Sequence, residues 1–283
     1  MSMNGRVCLV TGSTHGIGLA TARALAAMGA TVLVHGRDLS RARAVAQTIG
    51  RDTGNRNVRS VHADFAELAQ VRRLAQELAS GLPRLDVLIN NAGVMSAPGA
   101  LSADGYDLTF AVNHLAPFLL TNLLLARLSQ SAPARIVVVA SEAHRRAALD
   151  FGDLMNARVS GFLTPYERSK LANLLFARSL ARRLAGSGVT VNALHPGLVA
   201  SHLFHGLPLP LRVLLLGPGR LAMITTKRGA RGSVYLASAP GLAGESGGYY
   251  RGCRRVAPSA AAESDADAER LWVESARLTG LPT

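Results

Sequence analysis

Tyr166 and Lys170 stand four residues apart in the run Tyr166-Glu167-Arg168-Ser169-Lys170, an offset that places a phenol and an ammonium on one face of a helix. A phenol ordinarily titrates near ~10 and a close cation stabilises its phenolate, so the pair reads as a proton donor and acceptor tuned towards neutral pH. Lys170 and Lys227 are the only lysines in the chain. A compact ammonium at this offset is informative, because arginine would present a planar fork instead. Taken alone, the pair is also compatible with an exposed helical contact worth roughly 0.2–0.5 kcal/mol.

A second feature upstream decides between these readings. Residues 6–10 form a short β-rich run, followed at once by Thr11-Gly12-Ser13-Thr14-His15-Gly16-Ile17-Gly18 and a helical pattern over 19–28. Glycines there let the backbone turn sharply and approach a pyrophosphate, and a helix N-terminus supplies free N–H donors and a positive dipole end. The spacing Gly-xxx-Gly-x-Gly differs from the common Gly-x-Gly-xx-Gly fingerprint, and a purely structural turn is the competing explanation. The flanking strand and helix favour a dinucleotide site built from Gly12, Ser13, Thr14, His15, Gly16, Ile17 and Gly18.

The next strand, 30–35, ends in Gly36-Arg37-Asp38, near the position where an acidic side chain would hold a ribose 2′-hydroxyl. Gly36 cannot do so. Arg37 offers a bidentate partner for a phosphate, with His15 as helper, which favours NADP(H) over NAD(H). The alternative leaves Arg37 solvated and uses Asp38 as the N-cap of a helix starting near Leu39.

Further along come Asp64-Phe65, Asn90-Asn91-Ala92-Gly93 after the apolar run 85–89, Asn113 in an amphipathic helix, and Ser141 at the end of 136–140. With Tyr166 and Lys170, this ordered series resembles the short-chain dehydrogenase/reductase family over nearly the whole chain. The resemblance implies that Asn113, Ser141, Tyr166 and Lys170 are the catalytic four. Tyr166 would exchange the substrate proton, Ser141 would hydrogen-bond the carbonyl oxygen, Lys170 would bind the nicotinamide ribose and lower the tyrosine pKa, and Asn113 would hold a water in the proton relay. It further implies that Asp64 touches the adenine, with Phe65 beside it, and that Asn91, Ala92 and Gly93 form the turn steadying the central sheet. His195-Pro196-Gly197-Leu198-Val199-Ala200-Ser201 resembles the family's Pro-Gly segment, in which Pro196, Gly197, Val199 and Ser201 would position the nicotinamide amide.

The long interval from Ser141 to Tyr166, the helix continuing Leu171-Ala172-Asn173-Leu174-Leu175-Phe176, and the C-terminal Ser246-Gly247-Gly248-Tyr249-Tyr250 and Arg270-Leu271-Trp272 are similar to the retinol dehydrogenase and WW-domain oxidoreductase branch. Ala140, Gly36 and His15 depart from that branch's usual residues.

These chemical groups require an element order that gathers them. The strand–helix alternation predicts an α/β fold, a doubly wound Rossmann-like parallel sheet of about seven strands flanked by helices, with ligands at the carboxyl ends of the strands. With 283 residues and 48% hydrophobic content, 1–283 reads as one oxidoreductase domain in which 202–228, rich in Leu, Pro and Phe, covers the substrate. An apolar cover fits an apolar carbonyl or alcohol substrate, while core or oligomer packing is the competing explanation. Arg145 and Arg146 would favour an acidic group if they point inward.

No apolar run looks long enough, at ~18 residues, to cross a membrane, and no signal peptide precedes the first strand, so a cytoplasmic protein without a membrane anchor is expected. Two cysteines in no redox or metal spacing agree with a reducing compartment. Among eight histidines only His202 and His205 are close together, and no third ligand completes a metal site. The net charge of +13 arises from scattered arginines without an aromatic stacking platform, which argues against nucleic acid. A homo-oligomer is an expectation of resemblance alone. The activity expected is hydride transfer between NADP(H) and a carbonyl or primary or secondary alcohol; a non-catalytic cofactor-binding regulator, or an epimerase or multistep enzyme that regenerates its coenzyme, would use the same fold.

Overall fold

Val7–Val10 (β1) is buried at every position, the mark of a strand covered on both faces. The computed structural model describes residues 2–199 and 224–283. Within them the chain alternates: α1 is Gly16–Ala27, β2 Thr31–Gly36, α2 Leu39–Thr53, β3 Val58–His62, α3 Leu68–Gly81 and β4 Val87–Asn90. A short helix α4, Leu108–Phe110, leads through a π-helical turn at Ala111–Leu115 into α5, Ala116–Gln130. Then come β5 Ala134–Val139, α6 Leu163–Arg183, β6 Val189–His195, α7 Thr226–Ser238, β7 Tyr249–Arg251, β8 Arg254–Arg255 and α8 Asp265–Thr279.

The sheet order is β3-β2-β1-β4-β5-β6-β7-β8. Seven strands are parallel, as the sequence predicts, and β8 adds an eighth, antiparallel edge through Tyr250↔Arg255 and Arg251↔Arg254. The order reverses between β1 and β4, so their carboxyl ends open a crevice at the switch point where ligands bind in such sheets.

Alternation along each strand divides the core in two. Leu9, Leu33, Leu88, Ile136 and Val138 face the layer containing residues of α3, α5 and α6. Cys8, Val10, Val32, Val34, Ile89, Val137 and Val139 face the layer containing Ala22 and Leu25 of α1 and Leu236 of α7. Cys8 is fully buried, and burial raises its thiol pKa so that it stays protonated.

The apolar stretch Leu108–Gln130 corrects one expectation, being long and apolar enough to cross a membrane by composition. It belongs to a packed layer: 78% of its most apolar 18-residue window is buried, with Phe118, Leu119, Leu120, Leu124 and Leu128 inside the core. The C-terminal α8 docks on α6 through Arg178–Asp265 (2.6 Å), Arg182–Asp265 (2.5 Å) and Arg183–Glu269 (2.5 Å), and Arg183 lies over Trp272 at 4.2 Å. These half-exposed ion pairs contribute little singly; the burial of Leu271, the stacking of Trp272 on Phe176 and its edge-to-face contact with Phe118 anchor the helix.

Candidate active site

The glycine turn leaves β1 and enters α1 with Gly12 at φ 61° and Gly16 at φ 59°, conformations that a side chain disfavours. Gly18 is required by proximity instead. A Cβ there would lie 2.4 Å from the Gly12 carbonyl oxygen and 2.5 Å from Asn91 Nδ2. His15 occupies the N-cap position without capping the helix, and the first turn of α1 holds no acidic residue, leaving a favourable end for an anion.

Two side chains brace this turn. Thr11 Oγ1 accepts from the backbone N–H of Asn91 (2.9 Å) and Ala92 (3.0 Å), while Asn91 Nδ2 donates to the carbonyls of Thr11 (2.8 Å) and Gly12 (3.2 Å). From β2, His35 Nδ1 accepts the Gly12 N–H at 3.1 Å, and Ser13 Oγ bridges Val10 O and His35 N. Burial lowers His35 to about 4, so the ring stays neutral and able to accept. His35 was overlooked in the sequence; a histidine ending the strand beside a glycine turn was the available signal.

Several expected coenzyme contacts are thereby restricted. The Ser13 side chain is fully buried and spent on backbone atoms, and Phe65 is a core residue whose ring lies tilted against His35 at 4.5 Å, so neither side chain offers a ligand surface. Asp64 is half-buried and its Oδ1 accepts from Ala66 N at 2.9 Å. Thr14 contacts His15 Nδ1 through its hydroxyl at 3.2 Å, and its methyl would be only 2.5 Å from a Cβ at position 36, which explains Gly36. Arg37 is exposed at the end of β2, and Asp38 caps α2 through Arg41 N at 2.9 Å.

On the other side of the crevice, α6 carries Tyr166 and Lys170 on one face, with Lys170 Nζ 5.5 Å from the phenol ring centroid. Both are at least nine-tenths buried. Ser141 hydrogen-bonds Tyr166, and Lys170 donates to the Val139 carbonyl at 3.1 Å. Gly93 fits between the groups: a Cβ there would lie 3.3 Å from Asn113 Oδ1 and 3.4 Å from Lys170 Nζ. The side-chain-free position keeps open a cradle over the lysine.

Burial changes the expected electrostatics. Desolvation pushes Tyr166 up to about 12, only partly offset by the Ser141 bond, and pushes Lys170 down to about 8. The anticipated lowering of the phenol by Lys170 is corrected accordingly: desolvation of the phenolate dominates, and the opposing influence comes from Ser141. The resting state is a protonated phenol beside an easily neutralised amine.

Asn113 lies in the π-helical turn rather than in a regular amphipathic helix. Its Nδ2 donates to Val94 O and Ser169 Oγ, each at 3.0 Å, and its Oδ1 accepts from Val94 N–H at 2.7 Å. Ser169 Oγ in turn donates to the Tyr166 carbonyl at 2.7 Å. Asn113 thus ties the 93–94 turn to the tyrosine helix.

At the end of β6, Gly197 has φ 91° and its N–H donates to His195 Nδ1 at 3.1 Å. Val199 is buried and forms a parallel bridge with Ile224. Ala200 and Ser201 lie outside the described residues. So does the expected covering segment except 224–228, of which Thr225 caps α7 through Arg228 N at 3.2 Å. Arg145 does not serve the crevice: it donates to the Ala257 and Pro258 carbonyls at 2.7 and 3.3 Å. Among the described residues there is no cluster of three metal-ligating side chains.

A short-chain dehydrogenase model matches residues 6–209. The chain belongs to the short-chain dehydrogenase family. Human retinol dehydrogenase 13 is 43% identical over 98% of this short-chain dehydrogenase and 85% of its own length, and bovine dehydrogenase/reductase SDR family member 13 is 44% identical over 99% and 74%. An uncharacterized protein from Mycobacterium paratuberculosis superposes with a TM-score of 0.79 at 34% identity, covering 100% of this chain and 97% of that one. The Pseudomonas aeruginosa RhlG/NADP active-site complex superposes with a TM-score of 0.71 at 27% identity, covering 88% and 95%. This member is of the retinol dehydrogenase-like branch, an oxidoreductase acting on CH–OH and C=O groups of small molecules with a nicotinamide coenzyme.

Proposed function

We propose that the protein is an NADP(H)-dependent oxidoreductase that interconverts an apolar carbonyl compound and its alcohol, with Tyr166 as the proton donor and acceptor. The observation that carries this reading is the buried Tyr166–Lys170 pair, with half-buried Ser141 at the phenol and Lys170 Nζ beside Gly93.

The chain has the features a dinucleotide needs. Gly12 and Gly16 bend the turn, Gly18 lets α1 approach it, and the start of α1, which has no side-chain cap, would hold the pyrophosphate. Lys170, beside Gly93, would hold the ribose, and the 196–199 segment would hold the nicotinamide amide. The bound coenzyme supplies or accepts the hydride.

The chain's own residues handle the proton. A phenol held up near 12 is protonated at neutral pH, which suits donation to the oxygen of a carbonyl being reduced; Ser141 holds that oxygen and the phenol in register. Oxidation of an alcohol requires the reverse transfer to the phenolate. Lys170, at about 8, stabilises that anion while it remains charged.

Preference for the 2′-phosphate rests on Arg37, exposed where β2 ends, beside an aspartate already committed to helix capping. An apolar substrate is supported by Leu163 and Leu198, which expose 51% and 52% of their surface, one opening the tyrosine helix and the other following Gly197. Y166F tests the assignment: it is expected to keep its fold and NADPH binding while turnover falls by roughly 10²–10⁴. Near-normal NADPH oxidation by Y166F across aliphatic, retinoid, steroid and quinone carbonyls would overturn it. NADPH binding by wild type without turnover on that panel would favour the regulatory reading, and product formation without net coenzyme consumption would favour the epimerase reading.

A further inference from the structure

His195 ends β6 immediately before Pro196-Gly197, and the ring is buried. Its two nitrogens have different tasks. Nδ1 accepts the Gly197 N–H at 3.1 Å, so Nδ1 must be unprotonated and the neutral ring carries its proton on Nε2. Nε2 lies 3.4 Å from Glu142 Oε2, a long contact, and has no hydrogen-bond partner among the described residues.

Glu142 belongs to the turn that follows Ser141 and is itself fixed. Arg145 Nε donates to its Oε1 at 2.5 Å while the same guanidinium holds the carbonyls of 257 and 258. Burial would raise the Glu142 carboxyl, but the Arg145 bond and the surrounding positive charge hold it below the ordinary carboxylate value, so it is ionised at neutral pH. A line of contacts therefore runs from the C-terminal segment through Arg145, Glu142 and His195 to Gly197.

We propose that His195 is a positioning residue that, as a neutral imidazole oriented by Glu142, sets the Gly197 turn against the nicotinamide end of the coenzyme. The proposal rests on the coenzyme reading above. The turn needs such a restraint, because Gly197 sits at φ 91° and a Cβ there would lie 2.8 Å from Ile224 Cδ1. A backbone in this region is not held by residue preference, and the side-chain acceptor two residues back closes it as an Asx-type turn would.

Protonation reverses the restraint, since an imidazolium presents N–H to the Gly197 N–H. The charged and titratable groups around the ring are Glu142, His144 and Arg145 from the turn after β5 and Arg251 from β7. Burial lowers the His195 pKa, Glu142 opposes this, and Arg251, His144 and Arg145 reinforce it. The neutral form consequently prevails at pH 7, and the restraint is lost only below the ordinary histidine range.

The experiment is NADPH titration by fluorescence for wild type, H195A, H195N and E142Q between pH 5 and pH 7.5, with kcat and coenzyme KM measured beside it. H195A is expected to bind NADPH about tenfold more weakly, the worth of one hydrogen bond at ~1.4 kcal/mol. H195N is expected to stay within about twofold of wild type, because its amide oxygen accepts an i+2 N–H. As pH falls, wild type should lose affinity relative to H195N, and E142Q should shift that loss to lower pH, since removing the anion lowers the imidazole pKa. Equal affinities of H195A and H195N, or a constant ratio of wild type to H195N across the pH range, would overturn the proposal. The second comparison holds even where H195A fails to fold. Failure of wild type to bind NADPH or NADH would instead overturn the coenzyme reading, and this proposal with it.

Discussion

Asn113 grips Val94 from both sides, accepting its N–H at 2.7 Å and donating to its carbonyl at 3.0 Å. The π-helical turn Ala111–Leu115 makes this possible by displacing one residue from the regular helix, a distortion that recurs at functional sites. The side chain is fully buried. Removing it leaves a backbone donor and acceptor without partners, at a cost of about 1–3 kcal/mol for each unsatisfied group. N113A is therefore expected to unfold at lower urea concentration and to lose turnover, because the same amide holds Ser169 and through it the first turn carrying Tyr166. Unchanged urea midpoint and kcat would contradict the role.

Arg37 makes the coenzyme preference separable from the chemistry. The residue is exposed and follows β2, on the opposite side of the β1–β4 switch point from β5 and β6, which the tyrosine helix connects, so R37A should leave the proton-transfer group intact. We expect its KM for NADPH to rise about tenfold or more, equivalent to losing one charge-assisted contact, while its KM for NADH changes little. A parallel change for both coenzymes would remove the 2′-phosphate assignment.

What the sequence made legible were features carried by near neighbours. Tyr166 and Lys170 are joined by helical periodicity, and the glycine turn is announced by the strand and helix around it. The π turn at Asn113 was not readable, because an extra residue in one turn leaves the apolar pattern of the helix almost unchanged. Nor was the His35 bond assignable, since it exists only once β1 and β2 are set in register, while the local His195 bond depends on which ring nitrogen turns towards Gly197. The β8 edge is two arginines long and carries no strand pattern. The sign of the Tyr166 shift was missed for a related reason: the charge of Lys170 is visible in the chain, whereas desolvation exists only after folding.

Gly18 separates steric need from conformational preference. Its φ is not positive, yet a Cβ would meet the Gly12 carbonyl oxygen at 2.4 Å, and a backbone atom in a braced turn cannot swing aside. G18A should lower the melting temperature and weaken NADPH binding together. Gly81, at the end of α3, has nothing within 4 Å of the same added atom, so G81A should be neutral or slightly stabilising. Thermal melts of the two variants that match each other would refute the close-approach argument.

Lys170 offers the sharpest separation of stability from activity. Burial lowers its pKa to about 8 from an ordinary 10.5, so between those values the unfolded chain holds a proton that the folded chain has released. Stability then rises with pH from about 8 to 10.5 and carries the full desolvation cost below 8. Tyr166 acts in the opposite sense: with its pKa raised from 10 to about 12, it withdraws stability as pH climbs through that interval. K170M, of similar length and uncharged, should melt at least ~2 °C higher at pH 7 and should lose the rise between pH 8 and 10.5. It should also lose most turnover, since no cation remains to support the phenolate or hold a ribose. A K170M protein that melts at or below the wild-type temperature would mean that the ammonium is already solvated or paired in the fold, and the burial that sets both titrations would have to be abandoned.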